Sequence, residues 1–178
     1  MGVLSGKKVA IIIAFRDFRD EEYFIPKQIL EEAGTQVFTL SASLGQAIGK
    51  LGGDTEVNVL INEAKAADYD AILFVGGPGA AKHIDDPAWH KFAKEAVSSG
   101  KVLGAICAAP AILAKAGLLS GKKATVWNAP LDKSGVKILK EGGAVFQQDS
   151  VVTDGKIITA SGPEAAQDFA LSVVNLLK

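Results

Sequence analysis

Val9-Ala10-Ile11-Ile12-Ile13-Ala14-Phe15 is a run of apolar side chains with no polar residue at either parity. A strand with one wet face alternates in polarity, so a run like this reads as a strand buried on both faces. Such strands belong to parallel sheets covered by helices on both sides. This segment therefore restricts the fold more than any other. Thr35–Leu40 and Ala71–Val75 read as further strands, and another apolar stretch ends at Cys107. Helical spacing fills the gaps between them. Asp20–Ala33 places Phe24, Ile25, Gln28, Ile29 and Leu30 ahead of Gly34, and Pro87–Ser98 reads as a second helix. An Ala-rich helix follows Cys107 and ends near Gly117, another lies near Leu131–Lys140, and an amphipathic helix runs from Pro163 to Leu177.

Weaker signals complete the order. Gly45–Val59 is expected to form a small hairpin or excursion, and Ile61–Ala66 a short helix. Ala124–Trp127 and Val145–Phe146 are strand candidates. Val151–Thr159 reads as a hairpin with Asp154-Gly155 at its turn. Alternating strands and helices predict an α/β sandwich of three layers around a mainly parallel sheet. No linker or repeat divides residues 1–178, which predicts a single domain.

The chain has 178 residues, 48% of them hydrophobic and 22% charged, with a net charge of -1. Nothing in that balance calls for nucleic acid or an anionic membrane surface as a partner. Val9–Phe15 is too short to span a bilayer. The start, Met1–Lys8, lacks a signal-peptide pattern, and Gly6 stands where a myristoylation site needs a hydroxyl residue. The expected location is the cytoplasm. One cysteine excludes an intrachain disulfide and a Cys-rich zinc site, and His83 and His90, seven residues apart, fit no usual metal pair; with no ligand cluster, neither a metal nor a cofactor is expected.

That cysteine, Cys107, sits where the strand pattern gives way to the helix, between Ala105 and Ala108-Ala109-Pro110. A turn this tight strains its central residue, and only small neighbours allow it. The thiol would project from a strand's carboxyl end over a helix N-terminus, where the dipole and free N–H groups favour thiolate. A lone cysteine is also commonly an inert core residue. Gly76-Gly77 follows the third strand and can bring a backbone N–H close to a ligand. Together with the Ala108 N–H it would form an oxyanion hole. Glu22 lies four residues before Pro26, whose missing N–H and bulky ring should delay or bend the helix there. A carboxyl at that point can turn inward, bury itself, and exchange protons beside the thiol. Spacing alone does not separate Glu22 from Glu21. Neither histidine adjoins the cysteine. His83 follows the glycine loop, and His90 is expected to face solvent.

The Glu22–Pro26 spacing, Gly76-Gly77, Ala105-Ile106-Cys107-Ala108-Ala109-Pro110 and Thr159-Ala160-Ser161-Gly162-Pro163 together resemble the ThiJ/PfpI superfamily over nearly the whole chain. The resemblance implies a flavodoxin-like sandwich with a glutamine-amidotransferase-like fold. It also implies a cysteine nucleophile hydrogen-bonded to a protonated glutamate, and a homodimer or larger assembly. Members of the protease branch carry histidine directly after the cysteine, where this chain has Ala108. In the branch of the Parkinson-disease protein a histidine comes from the segment that here reads Ala124-Thr125-Val126-Trp127-Asn128, and this segment has none. A PfpI-type peptidase therefore lacks its base. The Ala-Ala-Pro elbow is closer to the second branch. For a small carbonyl substrate that branch implies cofactor-free conversion of methylglyoxal to lactate (glyoxalase III) or deglycation. A third reading is an oxidative-stress sensor or chaperone acting through Cys107 oxidation.

Overall fold

The computed structural model describes residues 2–178. The elements run β1 (Lys8–Ile12), β2 (Arg16–Phe18), α1 (Asp20–Glu32), β3 (Gln36–Ser41), β4 (Gly45–Gly49), β5 (Asp54–Val57), β6 (Val59–Leu60), β7 (Ala71–Phe74), α2 (Pro78–Ala81), α3 (Pro87–Ser98), β8 (Val102–Ile106), α4 (Pro110–Lys115), β9 (Lys123–Ala124), α5 (Ser134–Glu141), β10 (Val145–Phe146), β11 (Val151–Asp154), β12 (Ile157–Ala160) and α6 (Ala166–Leu177). Seven strands form the central sheet in the order β11-β12-β8-β7-β1-β3-β6. All neighbours are parallel except β11 and β12.

The apolar run does what its lack of alternation requires. Ala10 and Ile12 of β1 point into one layer, with Trp89 and Phe92 of α3, Ile112 and Leu113 of α4, and Leu139 of α5. Val9, Ile11 and Ile13 point into the other, with Tyr23 and Leu30 of α1 and Phe169 and Val173 of α6. Each of these β1 residues is completely buried. The result is the three-layer, flavodoxin-like α/β sandwich. Register aligns Ile12 with Phe74, Phe74 with Ala105, and Ile106 with Ala160. The strands thus end at one level, and Gly76 and Cys107 lie immediately beyond it.

Several local expectations change. Ile61–Ala66 is not a helix. The Ile61 N–H still bonds the Ser41 carbonyl, and the Glu63 and Ala64 N–H groups share the Leu60 carbonyl, before a 3-10 turn at Ala66–Asp68. One turn tied to a sheet edge cannot offset the cost of helix nucleation. The β11–β12 hairpin pairs Asp154 with Ile157, so its two loop residues are Gly155 and Lys156, with Gly155 at φ 62. That puts glycine first in the loop, as a type II′ turn demands, rather than second. Helix α1 begins at Asp20 and runs through Pro26 without the late start expected. Gly45–Val57 forms the β4–β5 hairpin, to which β2 adds a third strand. Among the described residues, no helix is long and apolar enough to cross a membrane.

Candidate active site

Cys107 has φ 65; Asp17, at φ 63, is the other non-glycine with positive φ among the described residues. For a side chain with a Cβ, that conformation costs on the order of 1–3 kcal/mol and must be imposed from outside. Two hydrogen bonds impose it here. The Cys107 N–H donates to the Ala160 carbonyl at 2.8 Å, and the Cys107 carbonyl accepts from the Trp127 N–H at 2.7 Å. One anchor lies on β12 and the other beyond β9, so the elbow is braced on both sides.

The glycine loop closes against this elbow. A Cβ at Gly76 would lie 2.5 Å from the Ile106 carbonyl oxygen and 2.7 Å from Cys107 Cβ. Gly77 adopts φ 104, and a Cβ there would meet the Arg19 backbone nitrogen at 2.5 Å. Only glycine lets the loop between β7 and α2 come this close. The backbone N–H groups of Gly77 and Ala108 favour the thiolate form of Cys107.

Glu22, not Glu21, turns inward. Glu21 stays at the surface and accepts from Arg19 Nε at 2.6 Å. Glu22 is wholly buried, and its Oε1 accepts the Gly76 N–H at 3.0 Å. Its Oε2 is buried with no hydrogen-bond partner among the described residues, and the neighbouring Cys107 thiol favours the charged form of this carboxyl. Burial raises the Glu22 pKa to about 8, against the opposing pull of Cys107, the Gly76 N–H and the Arg19 charge. At neutral pH Glu22 is therefore a carboxylic acid, able to donate as well as accept.

The thiol departs from expectation. Burial, then the Glu22 charge and hydrogen bond, push Cys107 above the ordinary thiol range; the Gly77 and Ala108 N–H groups only partly counter this. Helix α4 is short and starts three residues later, so its terminus does not govern the site. What holds the proton on the thiol is burial first and the neighbouring Glu22 second.

A pocket of about 340 Å³ opens over the sulfur, walled by Gly77, Pro78, Ala108, Trp127 and Pro163 with Arg19, Asp132 and Glu164 at its polar edge. The structure thus brings together Glu22, Gly76, Gly77, Cys107 and Ala108. Sequence reasoning missed Arg19, Asp132 and Glu164. Glu164 follows the last parallel strand and so shares the strand-end edge, a signal that was available; Asp132 lies in a loop whose path no local pattern fixes. Neither histidine lines the pocket. His83 Nδ1 pairs with Asp86 at 2.7 Å and its ring stacks on Trp89 at 4.2 Å. His90 is half-buried rather than solvent-facing, its Nε2 bonded to the Ile84 carbonyl at 2.6 Å. No group of three or more His, Cys, Asp or Glu side chains among the described residues is placed to hold a metal.

The profile of the DJ-1/PfpI family matches residues 7–176. The chain belongs to the DJ-1/PfpI family. The glutathione-independent glyoxalase DJR-1.2 of Caenorhabditis elegans is 30% identical over 174 residues, covering 98% of this chain and 90% of that one. YraA of Bacillus subtilis (strain 168), whose name provisionally makes it a cysteine protease, is 33% identical over 176 residues, covering 97% and 99%. A ThiJ/PfpI domain protein from Brachyspira murdochii superposes with a TM-score of 0.91 at 34% identity, covering 97% of this chain and 98% of that one. DJ-1/PfpI membership therefore agrees with both the sheet order and the motifs around Cys107.

Proposed function

We propose that the protein converts small 2-oxoaldehydes, methylglyoxal among them, to 2-hydroxy acids with Cys107 as nucleophile and Glu22 as proton carrier. The observation that carries this reading is the wholly buried Glu22 carboxyl, its pKa raised by burial, beside Cys107 below an open pocket. The similarity to a protein named as a glyoxalase supports it.

In the first step the Cys107 sulfur bonds the aldehyde carbon. Glu22 gives its proton to the resulting oxygen and takes the thiol proton on its other oxygen, forming a hemithioacetal. Glu22 next protonates the ketone oxygen and takes the proton from the former aldehyde carbon, which leaves an enediol. It then protonates the second carbon and takes back the hydroxyl proton of the first, giving a 2-hydroxyacyl thioester. The first carbon is oxidised by two electrons and the second reduced by two, so no external oxidant enters. Water cleaves the thioester, releasing the acid and restoring the thiol. In this reading the N–H groups of Gly77 and Ala108 take the negative charge that develops on the attacked oxygen.

Each proton transfer leaves Glu22 neutral, which suits a carboxyl with a pKa near 8. Peptide hydrolysis fits less well. It needs a base to raise the thiolate fraction and an acid for the leaving amine, and no imidazole lines the pocket. Incubation with methylglyoxal should yield lactate, and Cys107→Ser should abolish it. Equal lactate from wild type and variant would overturn the reading.

A further inference from the structure

A second cavity, of about 90 Å³, adjoins the Cys107 pocket, and the two share Ala81, Ala108, Trp127 and Asp132 as walls. The residue next to the nucleophile, Ala108, contributes only a methyl group to that partition. Beyond it the second cavity is lined by Ile84, Ala111, Val126 and Ile138. Its polar side chains, Asp132, Ser134 and the Trp127 indole, lie on its exposed side, with Ser134 bonded to one oxygen of Asp132. Ser134 Oγ donates to Asp132 Oδ1 at 2.6 Å, and the Ser134 N–H reaches the same oxygen at 3.2 Å. The wall formed by Ile84, Ala111, Val126 and Ile138 gives a hydrocarbon group an apolar surface to pack against.

We propose that this cavity is a subsite for the substituent on the ketone carbon of the 2-oxoaldehyde. The inference rests on the reaction proposed above and names its substrate class: 2-oxoaldehydes bearing branched aliphatic or aromatic groups larger than methyl. With the aldehyde carbon bonded to Cys107, the ketone carbon is one bond away and its substituent two. A group at that distance can pass the Ala108 methyl. A methyl substituent leaves the cavity empty, whereas an isopropyl group buries its carbons against Ile84, Val126 and Ile138. The chemistry is unchanged, and isopropylglyoxal would give 2-hydroxy-3-methylbutanoate.

The test compares kcat/KM for isopropylglyoxal and methylglyoxal by the hydroxy acid formed. The branched substrate should be favoured roughly tenfold or more, the scale of discrimination that extra buried carbons give. Ala111→Leu fills the cavity and should remove that preference while leaving methylglyoxal turnover within about twofold. Ile138→Ala enlarges the cavity and should raise the preference for still bulkier phenylglyoxal, so a folding defect in one variant leaves the other informative. Equal kcat/KM for the two aliphatic substrates, or a ratio that neither variant moves, overturns the subsite. A separate readout needs no turnover: the Trp127 indole N–H resonance titrated with isobutyramide and with acetamide. Tighter binding of isobutyramide that Ala111→Leu abolishes supports the subsite even if neither aldehyde reacts, in which case the proposed reaction alone falls. Equal binding of the two amides overturns the subsite even if methylglyoxal is converted.

Discussion

Glu22 carries a proton in the folded protein that it would lose in the unfolded chain at neutral pH. Its ordinary pKa of 4.5 rises to about 8 in the fold, chiefly through burial. Between those values the folded state binds more protons than the unfolded one, so stability falls as pH rises. The contribution is fully present below 4.5 and is lost as pH passes through about 8. Glu22→Gln cannot ionise. Its stability relative to wild type should climb across this window, read as the denaturant midpoint at a series of pH values, while lactate formation disappears. A flat difference between the two proteins would show that the carboxyl is not held neutral. Gly76 is the second residue with a sharp expectation. Gly76→Ala puts a carbon 2.5 Å from a backbone oxygen beneath the nucleophile. It should cost about 1–3 kcal/mol, as overpacking does, and should lower turnover more than stability, because the displaced atoms belong to the Cys107 elbow. Thermal melting and initial rates measured on one preparation separate the two effects.

At the scale of elements, the start of α1 and the β4–β5 hairpin are tied by one carboxylate. Asp20 Oδ1 accepts the Leu51 N–H and Oδ2 the Gly53 N–H, both at 2.8 Å. Asp20→Ala strands these donors beside a partly covered helix end and should cost about 1–3 kcal/mol. Hydrogen exchange should accelerate selectively at Leu51 and Gly53, with β1 and β8 unchanged. The major elements were legible because their signals are local: β1 from its unbroken apolar run, α3 between Pro87 and Ser98, and Cys107 from the small residues around it. Where tertiary partners decide, local signals failed. Ile61–Ala66 is held as a turn by bonds to Ser41 and Leu60. Glu22 and Glu21 become distinguishable only when β7 and β8 place Gly76 and Cys107 on one side of α1. The thiol's high pKa arises from burial, which a helix N-terminus in the sequence does not reveal.

For the whole molecule, the proposed homodimer meets a mixed surface. Tyr23 is completely buried, and its hydroxyl bonds Thr39 and Thr55 at 2.6 and 2.8 Å. Phe24 and Ile25 are 37% and 36% exposed, and Leu51 on the hairpin beside them is 62% exposed. Burial of these residues between two copies would use apolar surface otherwise left in water. Light scattering should give twice the chain mass at micromolar concentration, and Phe24→Asp should return a monomer. A monomeric wild type removes the proposal.

The bonds that hold Cys107 at φ 65 also set a timetable. One comes from Ala160 and the other from Trp127, so the elbow cannot be fixed while the chain ends at its own helix. During synthesis the cysteine emerges fifty residues before β12 begins. Until that strand docks beside β8, nothing enforces the strained turn, and the thiol belongs to a flexible chain with ordinary reactivity. Chemical competence therefore arrives nearly last, as a consequence of completing the sheet. A nascent or truncated chain lacking β12 would contain Glu22, Gly76, Gly77, Cys107 and Ala108 and still have no site.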